Sequence, residues 1–317
     1  MRIGLMIGPE RGRYRTKVER LQADARWAEG AGLDTVWIPQ IPDEFDALTA
    51  AVLVGTETTR IEIGTAVVPV QPRHPTALAQ QILSVQAVCE GRLSVGLGVS
   101  HHWVIDEMLG LPYERPVPTM RAYLDVLDQA LSGPGTVDVE NEYFRVHNPL
   151  DITDVTPTPI LIAALGPLML KLCGERADGT ILWMADERAI GSHVVPNLTR
   201  AAAEAGRPAP RVVAGVPVCL CSDAEIDVAV ARTNRILSEA EVSPNYQKLL
   251  EHGDARSVGD ILIAGSESTI ERRLGGFADA GVTDISVRVV PIGESREDLI
   301  ASSKRTRELL ASLVASS

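Results

Sequence analysis

The chain has 317 residues, 45% of them hydrophobic, and a formal net charge of -12 with acidic and basic residues interspersed. That length and apolar content supply a large core. The acidic balance argues against nucleic acid or anionic membrane surfaces as main partners. No apolar run approaches the roughly 18 residues needed to cross a bilayer, and the opening segment lacks a basic-then-apolar leader, so a cytoplasmic enzyme acting on a small molecule is expected.

The elements follow a regular order. Strand-like runs are read at residues 2–7, 35–39, 61–68, 93–99, 160–165, 180–184, 212–220 and 284–290. Most are continuous apolar stretches, the mark of strands covered on both faces in a parallel sheet. Nearly all are followed by a helical pattern. Thr16 with Glu19, and Ser268 with Glu271, have the spacing of capping boxes. Between the third and fourth strands, Pro75 suits a first helical position, Leu78, Ile82, Val85 and Cys89 mark one face, and Gly91 stands where a helix stops. Such strand–helix–strand units form right-handed parallel crossovers. Eight of them without a compositional break predict a (β/α)8 TIM barrel, with a doubly wound sheet as the alternative. Residues 1–317 read as one domain with two excursions, at about 107–159 and 238–257. The first is expected to hold a helix at residues 120–131 and a short hairpin; both are placed where barrel loops carry lids and substrate walls.

In a barrel the site lies at the carboxyl ends of the strands. Gly96 and Gly98 either let a ligand approach or let the strand bend; Gly96-Leu97-Gly98 does not complete a dinucleotide fingerprint, because position 101 is His. Ala164-Leu165-Gly166-Pro167 leads into a helix whose free amides suit an anion, although an ordinary turn has the same look. His101 and His102, on an extended chain, would face opposite ways, and no HxH, HExxH or paired-carboxylate pattern accompanies them, so no metal site is expected. Either histidine can serve as an acid, a base or a hydrogen-bond donor, or lie on a loop surface. Cys219 and Cys221 alternate on one strand face and read as buried reduced thiols.

Four motifs together resemble the luciferase-like superfamily, and within it the coenzyme F420-dependent oxidoreductases. They are AEGAGLDTVWIPQ, RIEIGTAVVPVQPRHPTALAQQILSVQAVCEGRLSVGLGV, PTPILIAALGPLMLKLCGERADGTILW and IAGSESTIERRLGGFADAGV. The resemblance spans nearly the whole chain. It implies a barrel, usually a homodimer, that holds a flavin-like ring at the carboxyl ends of the strands. By position, Thr65, Ala66 and Val67 would form a bulged strand behind the ring, with a non-proline cis peptide at Thr65–Ala66. Gly98, Val99, Ser100 and His101 would lie against the ring or its tail. Ala163, Ala164, Leu165, Gly166 and Pro167, with Met169, would form the phosphate side.

Two positions depart from the pattern. Many relatives carry Asp-His where this chain has Pro39-Gln40, and sugar-phosphate-oxidising relatives carry a glutamate where this chain has His101. The expected catalytic residues are therefore His101 or His102 as proton donor and Gln40 as hydrogen-bond donor. The implied activity is hydride exchange between the deazaflavin and a small organic substrate. An FMN-dependent monooxygenase on the same barrel is the alternative.

Overall fold

The computed structural model describes residues 1–8, 14–237 and 244–315. Eight parallel strands close into a ring: β1 (Arg2–Met6), β2 (Thr35–Ile38), β3 (Glu62–Thr65), β4 (Leu93–Gly98), β5 (Ile160–Ile162), β6 (Gly179–Trp183), β7 (Arg211–Leu220) and β8 (Asp284–Val289). β8 pairs with β1 from Arg2↔Asp284 to Leu5↔Val287, which closes the ring and excludes the open doubly wound sheet. Outward residues such as Leu5, Val36, Ile38, Ile63, Val95, Ile285 and Val287 join the main core under the surrounding helices. That explains the continuous apolar runs, because strands inside a helical ring have no wet face.

The inward residues form layers. At the amino-terminal foot, Arg211 binds Asp284 at 2.6 Å and Glu62 at 2.8 Å, while Arg2 binds Glu62 at 2.7 Å and Asp284 at 3.1 Å. Above it Trp37, Leu161, Ile181 and Val213 pack together, with Ala66 and Val67 against them. The foot and the middle of the barrel interior are thus occupied by side chains, and a ligand is expected at the carboxyl ends.

The helices that bear on the site are α1 (Tyr14–Gly30), α2 (Ala47–Gly55), α3 (Pro75–Val88), α4 (Pro116–Leu131) and α5 (Pro167–Arg176). Pro75 does open α3, and Cys89 N–H closes it onto Val85 and Ala87. The capping boxes are misplaced. Thr16 lies inside α1, since the helix is already formed at Tyr14. Near the end, Ser266 rather than Ser268 caps the helix Glu267–Asp279, accepting from Thr269 N–H, so the chain enters that helix two residues earlier than the Ser/Glu spacing indicates.

The first excursion contains a π-helical turn (Trp103–Met108), α4, and an antiparallel hairpin of Gly135–Glu140 with Arg145–Leu150. In the second, residues 238–243 lie outside the described part; Pro244–Leu250 is helical, and Ile263–Gly265 adds a strand beside Val218–Leu220 of β7. The four cysteines are free and buried, and burial raises the Cys219 and Cys173 thiols to about 12 and Cys89 to about 11. Among the described residues no helix is long and apolar enough to cross a membrane.

Candidate active site at the carboxyl ends of the strands

The floor of the mouth is built where β3 breaks. Thr65 keeps strand pairing with Ile38, and Ala66 N–H still donates to the Ile38 carbonyl at 2.8 Å. The strand resumes only as Val68–Pro69 beside Leu97 and Gly98. The cis peptide is therefore at Ala66–Val67, one residue later than Thr65–Ala66, because ladder bonds hold the chain in register through the Ala66 amide. The buried Thr65 hydroxyl accepts from Gly96 N–H at 2.9 Å and donates to the Gly96 carbonyl at 3.0 Å. It ties two strands together and is fully buried.

The two glycines of β4 make room for this break. A Cβ on Gly96 would lie 2.2 Å from the Thr65 carbonyl oxygen, and one on Gly98 would lie 2.6 Å from Val67 Cγ2. Both glycines therefore serve the strand break, the second of the two readings open in the sequence. What faces the mouth is a low surface of half-buried Ala66, Val67 and Ala163 beside the bare Gly98 backbone.

Beyond β4, Ser100 has φ 57° and turns the chain out of the strand. His102 then has helical angles, so the two histidines diverge around a helical start and not across an extended strand. His101 is half-buried, stacked on Trp103 at 5.5 Å and 11°, with Tyr246 of the second excursion 5.8 Å away on a tilted plane. Burial, and then the neighbouring His102, hold its imidazole below the ordinary value. His102 is exposed, 4.0 Å from Glu107 and edge-on to Tyr113. Tyr113 in turn donates to the Ser100 carbonyl at 3.2 Å.

The lowered His101 pKa fixes the sign of a pH effect. The unfolded chain binds the proton more readily, so stability tied to His101 is full above the ordinary imidazole value near 6.5 and is lost as pH falls through it toward the lowered one. Urea unfolding at about pH 7.5 and about pH 5.5 should show a smaller acid loss in His101→Phe than in the unaltered protein. An equal loss in both would show that His101 carries none of it.

Gln40 is half-buried and its Oε1 accepts from Ala47 N–H at 2.9 Å, joining the end of β2 to the start of α2. That contact orients the carboxamide and leaves its NH2 as the donor end. Val99 contributes its carbonyl to Gln71 Nε2 at 2.7 Å. On the β5 side, Ala164 and Met169 are buried in the core, Ala163 and Leu165 are half-buried, and Gly166, Pro167 and Leu168 are exposed. Gly166 stands at the N-cap of α5 with no side chain capping it, and Pro167 follows at the first turn.

The second excursion crosses this mouth. The Asp186 carboxylate, at the end of β6, accepts from Ala189 N–H at 2.7 Å, Asp254 N–H at 2.7 Å and Ala255 N–H at 2.8 Å. His193 Nε2 donates to the Leu165 carbonyl at 3.0 Å, and its ring stacks on that of His252 at 4.0 Å and 4°. Trp103, Tyr113, Asp186, His193, Tyr246 and His252 were not legible as site residues in the sequence. Trp103 alone had a local signal, an aromatic residue one short step past a strand end. Among the described residues no group of three His, Cys, Asp or Glu side chains is placed to hold a metal ion.

The profile of the family described as luciferase-like monooxygenase matches residues 1–284. A 5,10-methylenetetrahydromethanopterin reductase of Methanopyrus kandleri is 25% identical over 316 aligned residues, covering 86% of this chain and 89% of that protein. The solved structure of a coenzyme F420-dependent tetrahydromethanopterin reductase from Methanopyrus kandleri superposes with a TM-score of 0.74 at 22% identity, covering 98% of this chain and 97% of that one. The oxygenating constituent of 3,6-diketocamphane monooxygenase from Pseudomonas putida, solved with FMN, gives 0.75 at 18% identity, covering 99% and 98%.

Proposed function

The chain belongs to the luciferase-like monooxygenase family, and we propose that it is a coenzyme F420-dependent oxidoreductase exchanging a hydride between the deazaflavin and a small organic substrate. The observation that carries this reading is the similarity to a methanopterin reductase along 86% of the chain, together with the F420 dependence of the similar solved reductase.

The residues present fit such a group. Ala66, Val67, Gly98 and Ala163 offer a flat, low surface for a ring, and a side chain at Gly98 would fill it. The uncapped start of α5 at Gly166 offers amides and the positive end of a helix to a phosphate. When bound, the deazaflavin supplies or accepts the hydride. The chain binds and orients it and keeps water away. His101, whose imidazole burial holds below its ordinary value, would give or take a proton through a ring nitrogen. The NH2 of Gln40, its Oε1 being bound to Ala47 N–H, would donate a hydrogen bond. His102, on the exposed side with Glu107, is the weaker candidate for proton transfer. The same reading carries a cytoplasmic homodimer of twice the 34.0 kDa chain mass.

Titration of the apo-protein with each cofactor tests the proposal. Coenzyme F420 should bind at least about tenfold more tightly than FMN. The FMN-bound monooxygenase of the same fold keeps the FMN reading in view, and tight FMN binding without F420 binding would overturn the F420 reading.

A further inference from the structure

The second excursion touches the barrel at three strand ends. Tyr246 packs near His101 after β4, His252 stacks on His193 over the Leu165 carbonyl after β5, and the amides of Asp254 and Ala255 bind Asp186 after β6. Residues 244–257 thus form a strap over the mouth. One fastening sets Tyr246 beside His101, itself a titratable ring held below its ordinary value by burial, and another is a buried carboxylate. The third is a face-to-face pair of imidazoles.

We propose that the His193–His252 stack is a proton-sensitive latch that holds the strap closed at neutral pH and releases it in mild acid. His193 keeps its proton on Nε2, since only an N–H there can donate to the Leu165 carbonyl. A further proton on that ring must go to Nδ1. Imidazoles change charge between about pH 5 and 8. One added proton is tolerated by a stacked neutral ring, whereas two place like charges 4.0 Å apart.

The charged groups around the pair are largely committed. On the strap, Asp254 binds Arg188 at 2.6 Å, and the Arg256 amide donates to Asp260 at 3.0 Å. On the segment after β6, Asp186 holds the three amides and Glu187 binds Arg273 at 2.6 Å. Glu251 is exposed and adjacent to His252 in sequence. The loop 163–168 brings no titratable side chain. The second proton therefore meets repulsion that, in water-like surroundings, weakens a contact about fivefold.

The inference holds whatever the mouth binds, and its test needs no cofactor. Amide exchange of residues 244–257 in the full chain, corrected for intrinsic rates, should rise about threefold between about pH 7.5 and about pH 5.5. Exchange in β7 reads global unfolding and should rise less than in residues 244–257, by no more than the His101-linked loss of stability, which separates strap release from general loosening. His252→Phe keeps a stacked ring without a charge and should reduce the response to the part carried by His101. His252→Leu should show the same reduced response, at a faster rate at both pH values. An unaltered protein with no pH response, or either variant with the original response, would overturn the latch.

Discussion

Gly96→Ala should lower folding stability by about 3 kcal/mol or more, at the upper end of what overpacking does in a closed core. The added carbon would lie 2.2 Å from the Thr65 carbonyl oxygen, 2.9 Å from Val67 Cγ1 and 3.2 Å from Ile181 Cγ2. The first of these is backbone, held by the paired hydrogen bonds between Thr65 and Gly96 themselves. Relief requires the two strands to separate where the floor of the mouth is built. Gly98→Ala makes a useful contrast. Its closest neighbour is the Val67 side chain at 2.6 Å, so a rotation relieves part of the contact and the loss should be nearer about 1 kcal/mol. Urea midpoints of the two variants read the difference directly. Equal midpoints would mean that β3 and β4 are free to part.

Asp186→Ala should be of similar size but different in place. The carboxylate is 6% exposed and accepts three backbone amides, two of them from the strap. Hydrogen bonds to a charged group are each worth about 1.5–3 kcal/mol, and the donors left behind are shielded from water. A loss of about 3 kcal/mol is expected, concentrated in residues 244–257 and the short helix Glu187–Ala189. Gly253 closes the same contact, because a Cβ there would fall 2.3 Å from Asp186 Oδ2. Amide exchange resolved by segment should show the strap opening first. Uniform loosening of the barrel would argue that Asp186 supports β6 and not the strap.

The barrel was legible because its strands carry information locally. Runs such as Leu93–Gly98 and Arg211–Leu220 are apolar on both faces, and glycine or proline punctuates the turns between them. The break after Thr65 was legible only to within one residue. Its position is decided by the Ala66 amide finding Ile38 and by the missing side chains of Gly96 and Gly98, roughly 30 positions away. The strap was less legible still. Asp186 meets Asp254 across 68 positions of sequence, and His101 meets Tyr246 across more. No periodicity or spacing encodes such a meeting; it exists only once the strand ends share one rim. Gln40 illustrates a third case. Its residue type was informative, but the bond to Ala47 that aims it depends on the loop between them.

The hairpin of the first excursion is a two-stranded ribbon outside the main sheet, joined to α4 through Asn141 and the Ala122 carbonyl at 3.1 Å. A ribbon of this kind offers backbone groups along its margins, the usual template for unwanted strand addition. Its sequence counters that hazard. Asp138, Glu140, Arg145 and His147 place charge or a titratable ring along it, exposed or partly so, and Pro149 removes one donor near its end. The acidic chain therefore carries a built-in guard at a two-stranded margin, one that keeps crowded copies from stacking there.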